Sequence, residues 1–473
     1  MIVTTLALLL SLAAGHDEPY RPQYHFSPER NWTNDPNGLI WFEGEYHLFF
    51  QYNPFGDKWG HMSWGHAVSP DLIHWKELPV ALAEENGVMI FTGSTVIDER
   101  NTSGFCTGGK PCMVAVYTGH SKGLQTQNLA YSNDRGRTWA KYSGNPVLNP
   151  HLAEFRDPGV FWSKESKRWI MAVSMPDDHK VRIYGSPDLK KWEQLSDFGP
   201  AGATAGQWEC PVLFPVGDRW VLKVGLNPGA LQGGSGEQYF IGGFDGAKFI
   251  NDNPASLTLW TDYGKDCYCA LPFSNLPPSQ TPLMLGWMNN WQYADKVPTS
   301  PWRGQMTMPR ELSLKTFPEG VRLTQQPARE FANLREQPAK TLNTSTFELE
   351  TAADLHGAGE AEWKITYPGG AYAIVGYNAI RQELYVDRTH SGVVNFSDKF
   401  PARTAAPLVL IGGKLALRIF GDRNSLEVFT ADGRVAITNL IFPEHAPNGF
   451  SFESGGKARQ TELTIWPLQS IWR

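Results

Sequence analysis

The sequence predicts an all-β chain: a five-bladed β-propeller over residues 20–328 followed by a C-terminal β-sandwich over residues 341–473. Three observations carry this. The first is a recurring unit of acid, proline, apolar strand, tight turn and second apolar strand. It runs from Asp35-Pro36 to Phe50, from Asp157-Pro158 to Met171, and from Glu209-Cys210-Pro211 to Leu222. The second is a Ser-x-Asp turn closed by a tryptophan: Ser69-Pro70-Asp71 before Trp75, Ser132-Asn133-Asp134 before Trp139, and Ser186-Pro187-Asp188 before Trp192. The third is a change of character after Pro327, where alternating strands continue to Trp466 without the repeat.

The repeats recur at intervals of about 50 to 60 residues, enough for four short strands, which is the size of a propeller blade. A unit without its own acid begins near Phe91-Thr92-Gly93-Ser94, and a fifth begins near Asp262-Tyr263-Gly264-Lys265-Asp266. In the Ser-x-Asp turns the aspartate can bond to nearby backbone N–H groups while the tryptophan covers the hairpin, a purely structural role. The charged stretch Arg329 to Lys340 reads as a short helical linker, and the strands beyond it suit a β-sandwich.

Bulk properties narrow the function. The 473 residues, 41% hydrophobic and 19% charged, describe a folded chain with a full core and room for two domains. A net charge of -6 and the absence of a basic stripe argue against a nucleic-acid partner. Residues 1–15 form an apolar run ending in small residues and read as a secretory signal peptide, implying a secreted or periplasmic protein. No later run is long enough to span a membrane. The 5 cysteines are too few for a disulfide-built scaffold. Cys106 and Cys112 bracket a turn that can be bridged after export, whereas Cys210, Cys267 and Cys269 are expected to be buried free thiols. Asn-x-Ser/Thr sequons stand at Asn31, Asn101, Asn343 and Asn395.

Asp35, Asp157 and Glu209 occupy the same point of one repeat. Arranged around an axis, they form a ring of carboxylates. Glycoside hydrolysis needs this combination: a carboxylate to attack carbon or activate water, and a carboxylic acid to protonate the leaving oxygen. A single Asp-Pro pair is normally just a turn, but three acids in register on a repeat are not. Spacing does not separate nucleophile from acid, nor retention from inversion. The acid should have its pKa raised relative to the nucleophile. Arg156, beside Asp157, should keep that carboxylate ionised. The 18 tryptophans pack strands, and some can also present flat faces to sugar rings.

Trp32-Thr33-Asn34-Asp35-Pro36-Asn37-Gly38, Phe155-Arg156-Asp157-Pro158 and Trp208-Glu209-Cys210-Pro211 together resemble glycoside hydrolase family 32, the β-fructosidases. The resemblance covers nearly the whole chain. It implies a propeller and sandwich, with retaining catalysis through a fructosyl-enzyme. It makes Asp35 the nucleophile, Glu209 the acid/base and Asp157 the stabiliser of the transition state. Asn34, Gln51, Trp59, Phe91, Ser94 and Arg156 match positions lining the fructose pocket, and Trp287 or Trp291 walls it. Asp262 would support the fifth blade and the pocket rim. The block from Gly286 to Leu312 is most similar to bacterial exo-levanases and exo-inulinases. The implied substrates are fructan or sucrose, with no metal and no cofactor. A sucrose-preferring invertase, a fructosyltransferase and a non-catalytic fructan-binding propeller are the alternatives.

Overall fold

In the computed structural model, which describes residues 16–356 and 358–472, each predicted unit becomes an antiparallel sheet. The first sheet is built from Asn31–Phe42, Glu45–Asn53, Ser63–Ser69 and Lys76–Leu82. The second uses Met89–Asp98, Cys112–Ser121, Leu124–Ser132 and Ala140–Lys141. Arg156–Ser163, Arg168–Met175, Lys180–Ser186 and Glu193–Phe198 form the third. The fourth is Gln207–Val216, Arg219–Asn227, Gly236–Phe244 and Phe249–Asn251, with Leu259–Trp260 at its side. The fifth is Tyr268–Pro272, Leu283–Trp287, Arg310–Phe317 and Gly320–Pro327. These are the five blades.

Contacts between the first strands of successive blades close a ring. Thr92 bonds to Asp35, the Ser94 hydroxyl donates to the Pro158 carbonyl, and Cys210 N–H donates to Asp157. A Cys210–Cys269 disulfide then joins blades four and five, and Ser274 N–H donates to Leu39 O to return to blade one. The first strands therefore line the axis. Trp302–Arg303, from the fifth blade's long loop, also pairs in parallel with Asn31–Trp32 and adds a strand to blade one.

The repeated turns are three copies of one structure. Trp75, Trp139 and Trp192 each donate an indole N–H to the carbonyl three residues back, at 3.0, 3.0 and 2.8 Å. Asp71, Asp134 and Asp188 accept backbone N–H groups from the same turns. Their role is structural, as the sequence indicates. The fifth blade starts at Tyr268, later than its expected start near Asp262, because Asp262 and Asp266 are taken up by the sandwich.

After a single 3-10 turn at Arg329–Leu334, two five-stranded sheets stack to form the sandwich. Its core contains Leu349, Trp363, Val375, Ile419 and Val428. The predicted signal peptide, residues 1–15, lies outside the described residues.

A buried polar network joins propeller to sandwich. Arg310, on the fifth blade, pairs with Asp262 at 2.8 Å and with Glu427 of the sandwich at 2.6 Å, and bonds to Gln325 and Thr438. Asp262 thus secures the fifth blade to the sandwich. His25 is held by Asp422 on one ring nitrogen and Glu427 on the other, both at 2.8 Å. Nearby, Arg388 of the sandwich pairs with Asp266 and donates to the Tyr293 hydroxyl oxygen at 2.8 Å. Buried ions of this kind stay stable only when every partner is satisfied, and losing one strands the others.

Burial alone would depress His25, but its two carboxylate partners outweigh this and raise it from 6.5 to about 9. The folded-state value lies above the unfolded one, so the stabilisation is complete below pH 6.5 and disappears as pH rises through about 9. Its size is on the order of 3 kcal/mol. His25→Gln should lower the melting temperature strongly below about pH 6.5 and much less above about pH 9. Thermal denaturation across this range checks it; a pH-independent difference would contradict the linkage.

Candidate active site

Each blade's first strand breaks register near its start. Shifts fall between Thr33 and Pro36, Ile90 and Gly93, Glu209 and Val212, and Tyr268 and Leu271. In the third blade the same break falls between Arg156 and Gly159, which face Ser174 and Ala172 of the partner strand. A bulge twists the strand and re-aims its side chains. Here the bulges turn side chains toward the axis at one end of the propeller. Asp157 and Cys210 both adopt left-handed backbone, with φ of 65° and 48°, and both precede proline. By this equivalence Glu209 matches Arg156, one residue earlier than expected. The three acids come from the first strands of blades one, three and four, but they do not sit at one identical point of the repeat.

The acids converge nonetheless. Asp35 is 8% exposed; its Oδ2 accepts from Thr92 Oγ1 at 2.9 Å and lies 3.8 Å from Cys210 Sγ, while its Oδ1 is buried without a partner. Asp157, 5% exposed, accepts Cys210 N–H at 2.9 Å and donates its own N–H to Thr118. Glu209 is more open. Its Oε1 accepts from Arg156 Nη2 and Nε at 2.9 and 3.2 Å, and its Oε2 accepts the Tyr268 hydroxyl.

Arg156 is the only cation touching the trio among the described residues. It also bonds to Glu154, to Gln207 at 2.8 Å and to Gln125 at 3.3 Å. Its nearest approach to Asp157 is 4.0 Å. It opposes the rise in Asp157 without preventing it: burial, aided by Glu209, still pushes that carboxyl up to about 6. At neutral pH a value of about 6 leaves Asp157 mostly ionised, with Arg156 working in the expected direction. Burial is also the main cause at Asp35, with Asp157 and Glu209 adding repulsion, and raises it to about 7. Sequence reasoning placed the raised carboxyl at the general acid; in the free protein burial falls hardest on Asp35.

The other expected residues divide into two groups. Trp59 and Phe91 meet edge to face at 6.0 Å, and Phe91 stacks on His120 at 5.0 Å. Asn34 accepts the Trp32 indole N–H at 2.8 Å and lies beside Asp35, and Gln51 is buried on the neighbouring strand. Trp287 is fully buried and packs against Trp291, which is the more open of the two. Ser94 is different: its hydroxyl bonds to Pro158 O and Val160 N–H, joining blades two and three. In this structure that hydroxyl ties the two blades together.

Cys106–Cys112 forms the expected disulfide. The expectation of three free thiols is corrected, because Cys210 and Cys269 are bonded and only Cys267 is free. Their strands are adjacent blade-first strands, which brings the Cα atoms to 5.6 Å despite a sequence separation of 59. Asp35 sits beside this disulfide; with both sulfurs bonded to each other, the cluster offers one carboxylate and no thiolate. Thr92, Tyr268, Gln125, Gln207 and His120 were not identified from sequence. Tyr268 carries a faint signal, since it stands between the cysteines of the fifth unit.

An aspartate whose folded pKa is raised destabilises the protein as it ionises. Here the cost grows between about pH 4 and about 7. Asp35→Asn should therefore raise the melting temperature by a few degrees above about pH 7 and by less near about pH 4. Thermal scans at the two pH values test this; equal effects would show that Asp35 ionises freely.

Two family models match the chain: the glycosyl hydrolases family 32 N-terminal domain over residues 25–327 and the family 32 C-terminal domain over residues 319–467. The chain is 46% identical to a levanase of Bacillus subtilis (strain 168), an alignment covering 100% of this chain and 75% of that protein. It is 40% identical to an extracellular exo-inulinase of Aspergillus awamori, over 98% of this chain and 97% of that one. The crystal structure of exo-inulinase from Aspergillus awamori superposes with a TM-score of 0.90 at 38% identity, covering 97% of this chain and 100% of that chain. A β-fructofuranosidase from Schwanniomyces occidentalis, complexed with fructosyl-erythritol, gives 0.88 at 33% identity over 97% and 99%. Fold, site and similarity agree: the chain belongs to glycosyl hydrolase family 32.

Proposed function

We propose that the chain is a retaining, exo-acting β-fructosidase that releases terminal β-D-fructofuranosyl units from levan or inulin and also cleaves sucrose. The observation that carries this is the convergence of three carboxyls: Asp35 feels the charges of Asp157 and Glu209, and Arg156 lies against the latter two. The levanase, exo-inulinase and invertase among its relatives support the substrate class. The catalytic domain spans 20–328 and the sandwich 341–473. Export is supported by the apolar amino terminus and by the Cys106–Cys112 bridge.

In the first step Asp35 attacks the anomeric carbon while Glu209 gives its proton to the departing glycosidic oxygen. In the second, Glu209 takes a proton from water, and the resulting hydroxide displaces fructose from Asp35. Asp157 accepts fructose hydroxyls and offsets positive charge at the ring oxygen. The reactive microstate has Asp35 ionised and the proton on Glu209. Because the carboxyls are mutually coupled, the pH profile reports the group rather than one residue. Arg156 and Tyr268 hold Glu209 in position and must follow it as its charge changes.

Purified protein should liberate free fructose from levan and inulin without intermediate oligosaccharides. Glu209→Gln should lower kcat by about 10²–10⁴-fold while leaving substrate binding intact. A ladder of oligosaccharides would mean endo cleavage. Full activity in the variant would remove Glu209 from the mechanism. The ratio of rates on sucrose and fructan then separates a fructanase from an invertase, and oligosaccharide growth on sucrose would mark a transferase.

A further inference from the structure

The mouth of the site carries an aromatic ring that neither the catalytic trio nor the pocket wall uses. Between Asn53 and Ser63 the chain loops out at the same end of the propeller as the carboxylates. On this loop Phe55 is 76% exposed and Trp59 47% exposed. They are the only aromatic rings among the exposed large apolar side chains of the described residues. Single exposed apolar residues need no explanation, but a pair of exposed rings on one short loop at a pocket mouth does.

The loop is also fixed in place. Asn53 accepts the Phe55 N–H at 2.9 Å and donates to Lys58 O at 2.8 Å. Asn31 donates to Pro54 O, Trp32 N–H donates to Gly56 O, and Arg303 pairs with Asp57 at 3.0 Å. Asn31 and Trp32 lie on the strand that carries Asp35, so Phe55 is held in register with the catalytic carboxylate. One edge of its ring rests on His61, with centroids 5.3 Å apart, and much of the rest faces solvent. Trp59 leans inward on Phe91, whereas Phe55 stands further out.

We propose that Phe55 is a distal platform that receives the C–H face of a fructosyl unit beyond those held at the pocket, so that the rim favours fructan chains over a disaccharide. This rests on the fructosidase reading above. A two-ring substrate ends before the platform; a polymer reaches it. An aromatic contact of this kind changes affinity by roughly three- to ten-fold. The effect falls on KM, because the platform touches no reacting atom and binds ground state and transition state alike.

The test compares kcat and KM on levan and on sucrose for the parent, Phe55→Ala and Phe55→Tyr. In Phe55→Ala the levan-to-sucrose ratio of kcat/KM should fall about three- to ten-fold through KM, and Phe55→Tyr should restore it. An unchanged ratio, or an equal loss on both substrates, overturns the platform. Retardation of Glu209→Gln and of Glu209→Gln/Phe55→Ala in levan-containing gels reads binding without turnover. There the double variant should migrate faster, and equal mobility overturns the proposal. A parent inactive on both substrates would refute the fructosidase reading, while the gel comparison would still decide whether Phe55 binds the polymer.

Discussion

Two buried carboxyls, Asp35 and Asp157, held beside a third, Glu209, with Arg156 the one cation against the group among the described residues, are the constraint on which the structure turns. Ionising all of them in a low-dielectric site is costly, and one arginine does not neutralise the group. The strain shows in Asp35 and Asp157, whose carboxyls are pushed to about 7 and about 6 by burial. Such a cluster persists only if the backbone beneath it cannot relax. The ring of strand-to-strand contacts, from Thr92–Asp35 to Ser274–Leu39, supplies that rigidity. The same frustration is useful, because a proton held on the group is available for a leaving oxygen.

Rigidity has a second source in the sandwich. The Arg310 and His25 network joins the fifth blade, the amino-terminal segment and the sandwich strand Ser425–Thr430 in one buried set of bonds. Arg388 and Tyr293 extend it to the loop that carries Trp291. A propeller must join its last blade to its first. Here the parallel pairing of Trp302–Arg303 with Asn31–Trp32 performs that closure, beside the strand that carries Asp35. The sandwich therefore buttresses the pocket without contributing a carboxylate to it.

Much of this was legible in the sequence because propeller blades repeat. The spacing of Asp35, Asp157 and Glu209, the Ser-x-Asp…Trp turns and the loss of repeat after Pro327 identify the blades and the ring of acids directly. What stayed hidden depends on pairings across the ring. The Cys210–Cys269 disulfide, the Tyr268 hydroxyl on Glu209 and the Thr92 hydroxyl on Asp35 join residues far apart in the chain. The one-residue offset of Glu209 was invisible because a bulge changes facing without changing residue type. Ser94 matched a pocket position, yet its hydroxyl is consumed by backbone partners that only the folded ring brings near.

The central claim of the proposed mechanism is that Asp35 attacks carbon directly rather than activating a water. Proton NMR of the first product released from sucrose or levan, before mutarotation, tests this most directly. Attack by Asp35, followed by attack of water from the face the leaving group vacated, predicts β-D-fructofuranose as the first anomer. An α anomer appearing first would show single displacement by water, and would contradict the role given to Asp35.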